Sequence, residues 1–380
     1  MTMTSDSPSR APLPLQIGQG SPVHRSLQVL GLAVLVALAI LGSRTNSFQV
    51  GLLTQALIYA IAIAGLNLVT GYTGMLSIGH SAFFGIGAYT TGILVAQHNW
   101  NPLVTFIVSF LICFIFGLIV GLPALRIRGI NLALVTLALA VAFPELIDRF
   151  PGLTGGTLGL NVNLTQLLPP HWTGIGIQNR FEYYYWIAAV VLALVLVLCA
   201  NLTRGRSGLA MRATRDRETA ATAVGVNLAW IKVFTFGISA AVTGVAGSVF
   251  AMYLGSLSAD SSFTLTLSIT LITGLVIGGV ATIVGPIVGG LAVIYIPHWT
   301  ENLRQGQTEG LFFGTILIIL MFVMPDGLMG LLKRLSRHVV RIKPRAPEVA
   351  MAVSEELLAH RDRSADPDPE GKGDTTLAVS

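Results

Sequence analysis

Residues Pro102–Leu125 read PLVTFIVSFLICFIFGLIVGLPAL, and this run carries no charged side chain. A helix of this length can cross a bilayer whose hydrocarbon core is about 30 Å thick. A strand of a membrane barrel would alternate apolar and polar residues instead. Because lipid offers no hydrogen-bond partners, the backbone of a spanning segment must satisfy its polar groups internally. The run therefore predicts a transmembrane helix.

The composition extends this prediction to most of the chain. Apolar residues make up 53% of the 380 residues and charged residues only 11%, whereas soluble domains carry about 25% charged residues. A globule could not hide so many apolar side chains, but a lipid solvent accepts them. We therefore predict an all-α polytopic membrane protein with about ten transmembrane helices. The predicted spans are Leu27–Gly42, Phe48–Thr70, Ala82–Gln97, Pro102–Leu125, Gly129–Ile147, Tyr183–Leu202, Lys232–Leu254, two within Leu265–Pro297, and Gly310–Met324.

Three regions follow from this interpretation. Residues 1–26 form a polar N-terminal segment, residues 27–332 form the transmembrane domain, and residues 333–380 form a basic tail. Beyond Arg345 the tail has few large apolar residues and cannot bury enough surface to fold alone, so we expect it to be disordered or to form a weak interaction segment. A hydrophilic loop at residues 203–231 interrupts the spans.

The Lys and Arg residues determine the predicted orientation. With the N-terminus inside, nineteen of the 23 fall on inner segments and four on outer segments, and such a bias favours the cytoplasmic side. Both termini are therefore expected in the cytoplasm. The net charge of +5 is explained by this orientation, so no nucleic-acid-binding surface is predicted.

Sequence patterns for catalysis and metal binding are missing. The chain has no G-x-x-x-x-G-K-S/T loop for nucleotide phosphates and no H-E-x-x-H pair for zinc. Both cysteines, Cys113 and Cys199, lie in apolar runs, so neither a disulfide nor a metal site is expected. Ser77 lies in the run GMLSIG, where a nucleophile elbow would need glycine in place of Met75. The alternative to a non-catalytic membrane protein is an intramembrane enzyme that uses Ser77 as its nucleophile and His80 as the base.

Glycines break the apolar pattern between Gly71 and Gly79. Non-helical backbone at membrane depth is tolerated where it is buried in protein or lines a cavity. Polar side chains gather at this break, so it either lines a substrate path or forms a hydrogen-bonded turn at the cytoplasmic membrane edge. The candidate path residues at the break are Asn67, Tyr72, Ser77 and His80.

Glu145 is the remaining candidate for the substrate path. It follows Pro144 near the outer end of the fifth predicted span. It either marks the outer mouth of the path or lies at the membrane interface, solvated or paired with Arg149. No acid lies in the middle of a predicted span, which speaks against an ion-coupled secondary transporter. That class of protein stays an alternative.

Glycine pairs at four-residue spacing recur within the predicted spans. They permit close helix crossing, and we expect them to pack within one subunit rather than between two. The pairs are Gly117/Gly121, Gly274/Gly278 and Gly285/Gly289.

The hydrophilic loop contains one predicted amphipathic helix, Gly208–Val224. Arg212 and Asp216, like Arg215 and Glu218, are spaced to form ion pairs along one helix face. A short helix of this kind either seats in a groove on another protein or lies at the membrane surface.

The loop sequence GLAMRATRDRETAATAVGVN, at residues 208–227, resembles the coupling loop of ABC-importer permeases. That loop carries an E-A-A-x-x-x-G pattern and contacts the ATPase. The two alanines and the glycine match the pattern, while the acid is displaced by one place. The resemblance implies that the ATPase-coupling residues are Arg212, Arg215, Glu218, Ala220, Ala221 and Gly225.

Three further segments resemble the branched-chain amino acid permease family. They are GYTGMLSIGHSAFFGIGAY at residues 71–89, RIRGINLALVTL at residues 126–137 and TGGTLGL at residues 154–160. The arginine-flanked entry to the fifth span looks like the M-type subunit of that family. The resemblance implies an ABC-importer permease fold and the import of leucine, isoleucine and valine. Related permeases are associated with urea and short amides, which stay the alternative substrates.

The same resemblance implies the partners of the chain. It would pair with a homologous second permease, two cytoplasmic ATP-binding subunits and an extracytoplasmic solute-binding protein in the bacterial inner membrane. ATP would be bound by the partner subunits. The chain would therefore be a transport subunit rather than an enzyme, and no cofactor of its own is predicted.

Overall fold

The structure is a computed structural model that describes residues 15–18, 46–125, 127, 129–162, 180–303, 314, 327–330 and 340–343. The chain forms two compact units. One comprises Met1–Ala33 with Leu335–Ser380, and the other comprises Val34–Arg334. The larger unit contains every candidate site residue.

In the smaller unit, the described residues form two short strands, Leu15–Gly18 and Val340–Lys343. The strands pair in parallel, with Leu15 opposite Val340. The predicted tail, residues 333–380, includes the strand Val340–Lys343, and the disorder of the rest of the tail stays a prediction. Apart from these two strands, the predicted N-terminal segment, residues 1–26, and the predicted tail lie outside the described residues.

The larger unit is helical. Its α-helices are α1 Ser47–Leu66, α2 His80–His98, α3 Pro102–Gly121, α4 Ile130–Asp148, α5 Pro151–Thr154, α6 Arg180–Arg204, α7 Arg206–Asp216, α8 Glu218–Ala223, α9 Leu228–Leu254, α10 Ala259–Ser262, α11 Leu265–Gly278 and α12 Gly285–Leu303.

Shorter elements connect these helices. A π-helix, Asn67–Tyr72, extends α1, and single 3₁₀ turns lie at Pro123–Leu125 and Gly156–Leu158. Between α5 and α6 the strand Leu160–Asn161 pairs antiparallel with Ser256–Leu257, which follows α9. This pairing joins the two loops at the end of the bundle opposite α7 and α8.

Within the described part of the chain, six helical segments are long and apolar enough to cross a membrane. This confirms the prediction of an all-α polytopic membrane protein. The division of Leu265–Pro297 into two helices, α11 and α12, is also confirmed. The predicted span Leu27–Gly42 lies outside the described residues, as does Gly310–Met324 except for residue 314. The count of ten therefore stays a prediction.

Capping residues explain where two of the long helices begin. The Asn101 side chain accepts a hydrogen bond from the Leu103 amide at 3.0 Å, and Pro102 occupies the first turn of α3. Proline suits this position because the first amides of a helix have no intrahelical partner. Asn227 caps α9 in the same way, by accepting from the Trp230 amide at 3.1 Å.

The bundle is organised around α9 and α1. In the most apolar window of each helix, 83% of α9 and 72% of α1 are buried, against 22% of α3. The outer helices present large apolar side chains such as Ile107 and Leu111 at the surface. This distribution is the one expected of a bundle whose periphery meets lipid rather than water.

Small residues allow the central helices to pack closely. A Cβ atom added at Gly87 of α2 would overlap the Gly244 carbonyl of α9, and one added at Gly117 would lie 2.5 Å from the Ala240 Cβ atom. Similar close contacts join α11 to α12 at Gly278. The glycine pairs thus pack within one chain, as predicted.

Candidate functional site

The Asn67 side chain, in addition to the glycines, stabilises the chain where the apolar pattern breaks. Asn67 is buried at the start of the π-helix. Its Oδ1 atom accepts a hydrogen bond from the Ala281 amide at 2.9 Å, and its Nδ2 atom donates to the Thr282 carbonyl at 2.7 Å. Both partners lie in the turn between α11 and α12. The predicted start of the break at Gly71 was therefore too early, because these contacts keep the chain helical to Tyr72.

After the π-helix, residues 73–79 lack helical structure until α2 begins at His80. The His80 ring is buried and bonded at both nitrogens: Nδ1 lies 2.9 Å from Ser77 Oγ, and Nε2 lies 2.8 Å from Ser239 Oγ on α9. The Ser239 hydroxyl donates its proton to the Gly65 carbonyl at 2.6 Å. It must therefore accept from His80 Nε2, which leaves Nδ1 to accept from Ser77.

The same segment is tied to two further helices. The Ile78 amide donates to Thr136 Oγ1 of α4 at 2.9 Å, and the Ser81 amide donates to Ser268 Oγ of α11 at 3.0 Å. Residues 73–81 thus connect α1, α2, α4, α9 and α11. A displacement of residues 73–81 would therefore change the contacts of each of those helices.

The structure places the candidate path residues in two different locations. The four at the break are buried within the chain, and the Tyr72 hydroxyl lies against Thr203 at the end of α6. Glu145 is exposed on α4. It lies nine residues beyond Thr136, which corresponds to about 13 Å along a helix. Whether any of these side chains lines a substrate path stays a prediction.

The hydrophilic loop forms two helices, α7 and α8, and not the single helix that was predicted. Arg217 separates them in an extended conformation, with φ −155° and ψ 111°. The change of direction brings Glu218, the first residue of α8, to Lys232 of α9, where Oε1 and Nζ are 2.6 Å apart. A continuous helix would carry Glu218 along the axis of α7 and away from this buried cation.

The predicted arginine contacts are also corrected by this geometry. Arg215 and Glu218 were expected to pair along one helix face, but they lie on different helices and each has a partner in the core. The Arg215 guanidinium donates to the Gly71 carbonyl at 2.6 Å, and Arg212 donates to the Thr203 carbonyl at 3.4 Å. The helix pair is therefore anchored to the ends of α1, α6 and α9.

The rest of the helix pair faces away from the core. Ala221 is buried, whereas its neighbour Ala220 is exposed. Gly225 ends the segment at φ +83°, a left-handed conformation that favours glycine. Two large apolar side chains, Leu209 and Val224, are exposed as well. The pair thus presents a small apolar surface at the end of the bundle that carries the break, and we call Leu209, Ala220 and Val224 the coupling surface.

Sequence reasoning missed the residues that hold these parts together. Thr136, Ser239 and Ser268 were unremarkable polar residues within apolar runs, and Lys232 was counted only as an orientation signal. The sequence did contain one usable indication, because a lysine inside an apolar run requires an anionic or water-exposed partner. Nothing in the sequence indicated which acid that partner would be.

The fold and the site define a multi-pass α-helical membrane protein with a polar helix pair anchored to the ends of α1, α6 and α9. The chain belongs to the family described as branched-chain amino acid transport system, permease component, whose model matches residues 48–321.

Curated relatives agree with this assignment. The chain is 30% identical over 334 residues to the high-affinity branched-chain amino acid transport system permease protein LivM of Escherichia coli, covering 82% of this chain and 76% of the relative. The LivM protein of Salmonella typhimurium is 29% identical with the same coverage. The permease protein LivH of Escherichia coli is 24% identical over 287 residues, covering 72% of this chain and 91% of the relative. No solved structure matches the chain.

Proposed function

We propose that this chain is the membrane-spanning, non-catalytic subunit of an ATP-driven importer for leucine, isoleucine and valine. The observation that carries the proposal is the anchored helix pair, because a coupling element must contact both an external motor and the transmembrane core. The relatives supply the substrate class through their printed names. We place the importer in the bacterial inner membrane with both termini cytoplasmic, on the strength of the Lys and Arg distribution.

The partners follow from the same comparison. Similarity to both LivM and LivH relatives supports an assembly in which two homologous permeases stand side by side. We further propose two cytoplasmic ATPases, which bind the ATP, and an extracytoplasmic binding protein that selects the solute. The exposed Glu145 side chain fits this arrangement, because a carboxylate facing lipid is costly. We assign the Glu145 face of α4 to the contact with the second permease, at the outer mouth of the path.

The mechanism begins at the coupling surface. Closure of the ATPases moves α7 and α8, and two contacts carry this movement into the core. The hydrogen bond from Arg215 moves the Gly71 carbonyl at the end of the π-helix, and the ion pair with Glu218 moves Lys232 in the first turns of α9. The break at residues 73–79 then shifts against the turn that Asn67 holds. The two access states differ in their affinity for the closed ATPase pair, and that difference drives the change.

Radiolabelled leucine uptake tests the proposed function. A strain lacking this chain is compared with the same strain after the chain is restored, in the presence of unlabelled isoleucine, valine or urea. We expect restored uptake that needs ATP and that isoleucine and valine block. Uptake that persists without ATP hydrolysis but collapses with the ion gradient would indicate a secondary transporter instead. Rescue of urea or amide transport without leucine uptake would support the proposed importer architecture but would show that the proposed substrate is wrong.

A further inference from the structure

A buried polar site lies toward the opposite end of the bundle from the coupling surface. Tyr89 of α2 is only 3% exposed. Its ring packs against Phe143 and Phe263, with ring centroids 6.3 Å and 5.6 Å away. Among the described residues its hydroxyl has no hydrogen-bond partner. A buried hydroxyl without a partner is costly, so this one requires an explanation.

Two carboxylates lie near that hydroxyl without bonding to it. Asp148 lies at the end of α4 and Asp260 lies in α10, and both interact electrostatically with Tyr89. The Asp148 Oδ1 atom is itself buried, with no hydrogen-bond partner in the described part of the chain. The described residues also provide neither acid with an ion pair. The site thus combines negative charge with a free hydroxyl, and a cationic N–H donor would complement both groups.

The surroundings of the hydroxyl restrict the ligand further. Tyr89, Phe143 and Phe263 form an aromatic wall, and Phe84 and Phe250 pack behind Phe263. Aromatic faces attract ammonium groups and also accept aliphatic side chains. A divalent metal ion would demand six or more oxygen ligands, and the described residues contain no group of three or more acidic, histidine or cysteine side chains that could hold one.

We propose that the Tyr89 hydroxyl and the Asp148 carboxylate bind the ammonium group of the amino acid in transit, while Phe143 and Phe263 contact its side chain. Asp260 adds negative charge at the entrance. This inference rests on the proposed function, since it assigns a binding site to the substrate of that importer. It adds to the selection by the binding protein a second selection step, for an α-amino group, within the permease.

Transport kinetics give the first test. Tyr89→Phe and Asp148→Asn remove one polar group each while retaining the shape of the side chain. Because a hydrogen bond to a charged group contributes roughly 1.5–3 kcal/mol, we expect each variant to lower the maximal rate of leucine uptake by at least about tenfold. The half-saturating leucine concentration, which the binding protein determines, should stay within about threefold. The matched control is Glu182→Gln, an acid in the first turn of α6, which should transport at the wild-type rate.

Photo-crosslinking gives a direct test that does not depend on turnover. The complete transporter complex in lipid nanodiscs is labelled with a diazirine analogue of leucine, and labelled peptides are identified by mass spectrometry. We expect labels near Phe143 or Phe263 that excess leucine suppresses and Asp148→Asn abolishes. The compound 4-methylpentanoate, which lacks the ammonium group, should not suppress them. Equal suppression by sodium or potassium chloride would mean an inorganic cation site and would overturn the inference.

The two proposals fail in different ways. If the wild-type complex does not import leucine, the proposed function is wrong before any variant is measured. If the wild-type complex imports leucine and both variants match its rate and its labelling, only the assigned site is wrong.

Discussion

The Lys232 ammonium lies 2.6 Å from the Glu218 carboxylate, and the lysine side chain is only 5% exposed against 27% for the glutamate. The pair joins the first residue of α8 to α9, the most buried of the six candidate spans in the described residues. A charge buried this deeply is tolerated because it is paired, so the acid holds α8 in place and also neutralises the lysine.

Replacing one partner should therefore cost more than replacing both. We predict that Glu218→Gln destabilises the protein by about 2 kcal/mol, below the full cost of breaking a buried pair because Glu218 is partly exposed. The double variant Glu218→Gln with Lys232→Met should recover most of that loss. Thermal unfolding of the purified complex measures both. Equal losses in the single and double variants would mean that the pair is not what stabilises α8.

Arg215 offers a test of coupling that leaves the fold intact. Its guanidinium holds the Gly71 carbonyl, so we predict that Arg215→Gln lowers leucine uptake about tenfold while ATP hydrolysis by the complex continues. Arg217→Gln is the matched control, because Arg217 is also exposed and lies two residues away. The ratio of leucine imported to ATP hydrolysed, measured in proteoliposomes, separates the two. An unchanged ratio in Arg215→Gln would remove this contact from the mechanism.

Two neighbouring alanines distinguish docking from folding. Ala220 is exposed and Ala221 is buried. We predict that Ala220→Arg leaves the amount of folded protein unchanged but prevents the ATPase from co-purifying, which abolishes uptake. Ala221→Arg should lower the folded protein itself, because a bulky charged side chain cannot be accommodated in that contact. Normal ATPase recovery and uptake with Ala220→Arg would contradict the assignment of the coupling surface.

Two hydroxyls on α9, one turn apart, test the network around His80. Ser239 bridges His80 and Gly65, whereas the buried Thr235 hydroxyl has no hydrogen-bond partner among the described residues. We predict that Ser239→Ala destabilises the protein by about 1–2 kcal/mol, because it leaves a ring nitrogen unsatisfied. Thr235→Val should be neutral or slightly stabilising. The midpoints of thermal unfolding decide between these outcomes, and equal midpoints would show that the network adds no stability.

The sequence was sufficient for the helical core because apolar runs are a local property. Pro102–Leu125 and Lys232–Leu254 were located to within a few residues, and so was the turn between α11 and α12. Helix ends were less accurate where a distant contact determines them. The extension of α1 to Tyr72 depends on Asn67 bonding to Ala281 and Thr282, more than 200 residues away, and no local pattern carries that information.

The candidate site was predictable only in part for the same reason. The resemblance predicted that the loop holding α7 and α8 couples to an ATPase, which stays a prediction, and the glycines indicated the break. The expected ion pair between Arg215 and Glu218 followed from local helical spacing, but tertiary contacts with Gly71 and Lys232 decided where both side chains go. The Tyr89 site was missed altogether, because its members come from α2, α4 and α10 and share no spacing in the sequence.

The central position of α1 and α9 predicts how coupling in the importer depends on the thickness of the bilayer. Bilayer thickness acts on the helices that touch lipid, which respond by tilting. In the proposed importer, the movement of the ATPases reaches the core through Gly71 and Lys232, at the ends of the two most buried of the six candidate spans in the described residues. Coupling efficiency should therefore be nearly independent of acyl-chain length, even where the lipid composition alters the tilt of α3 and α6.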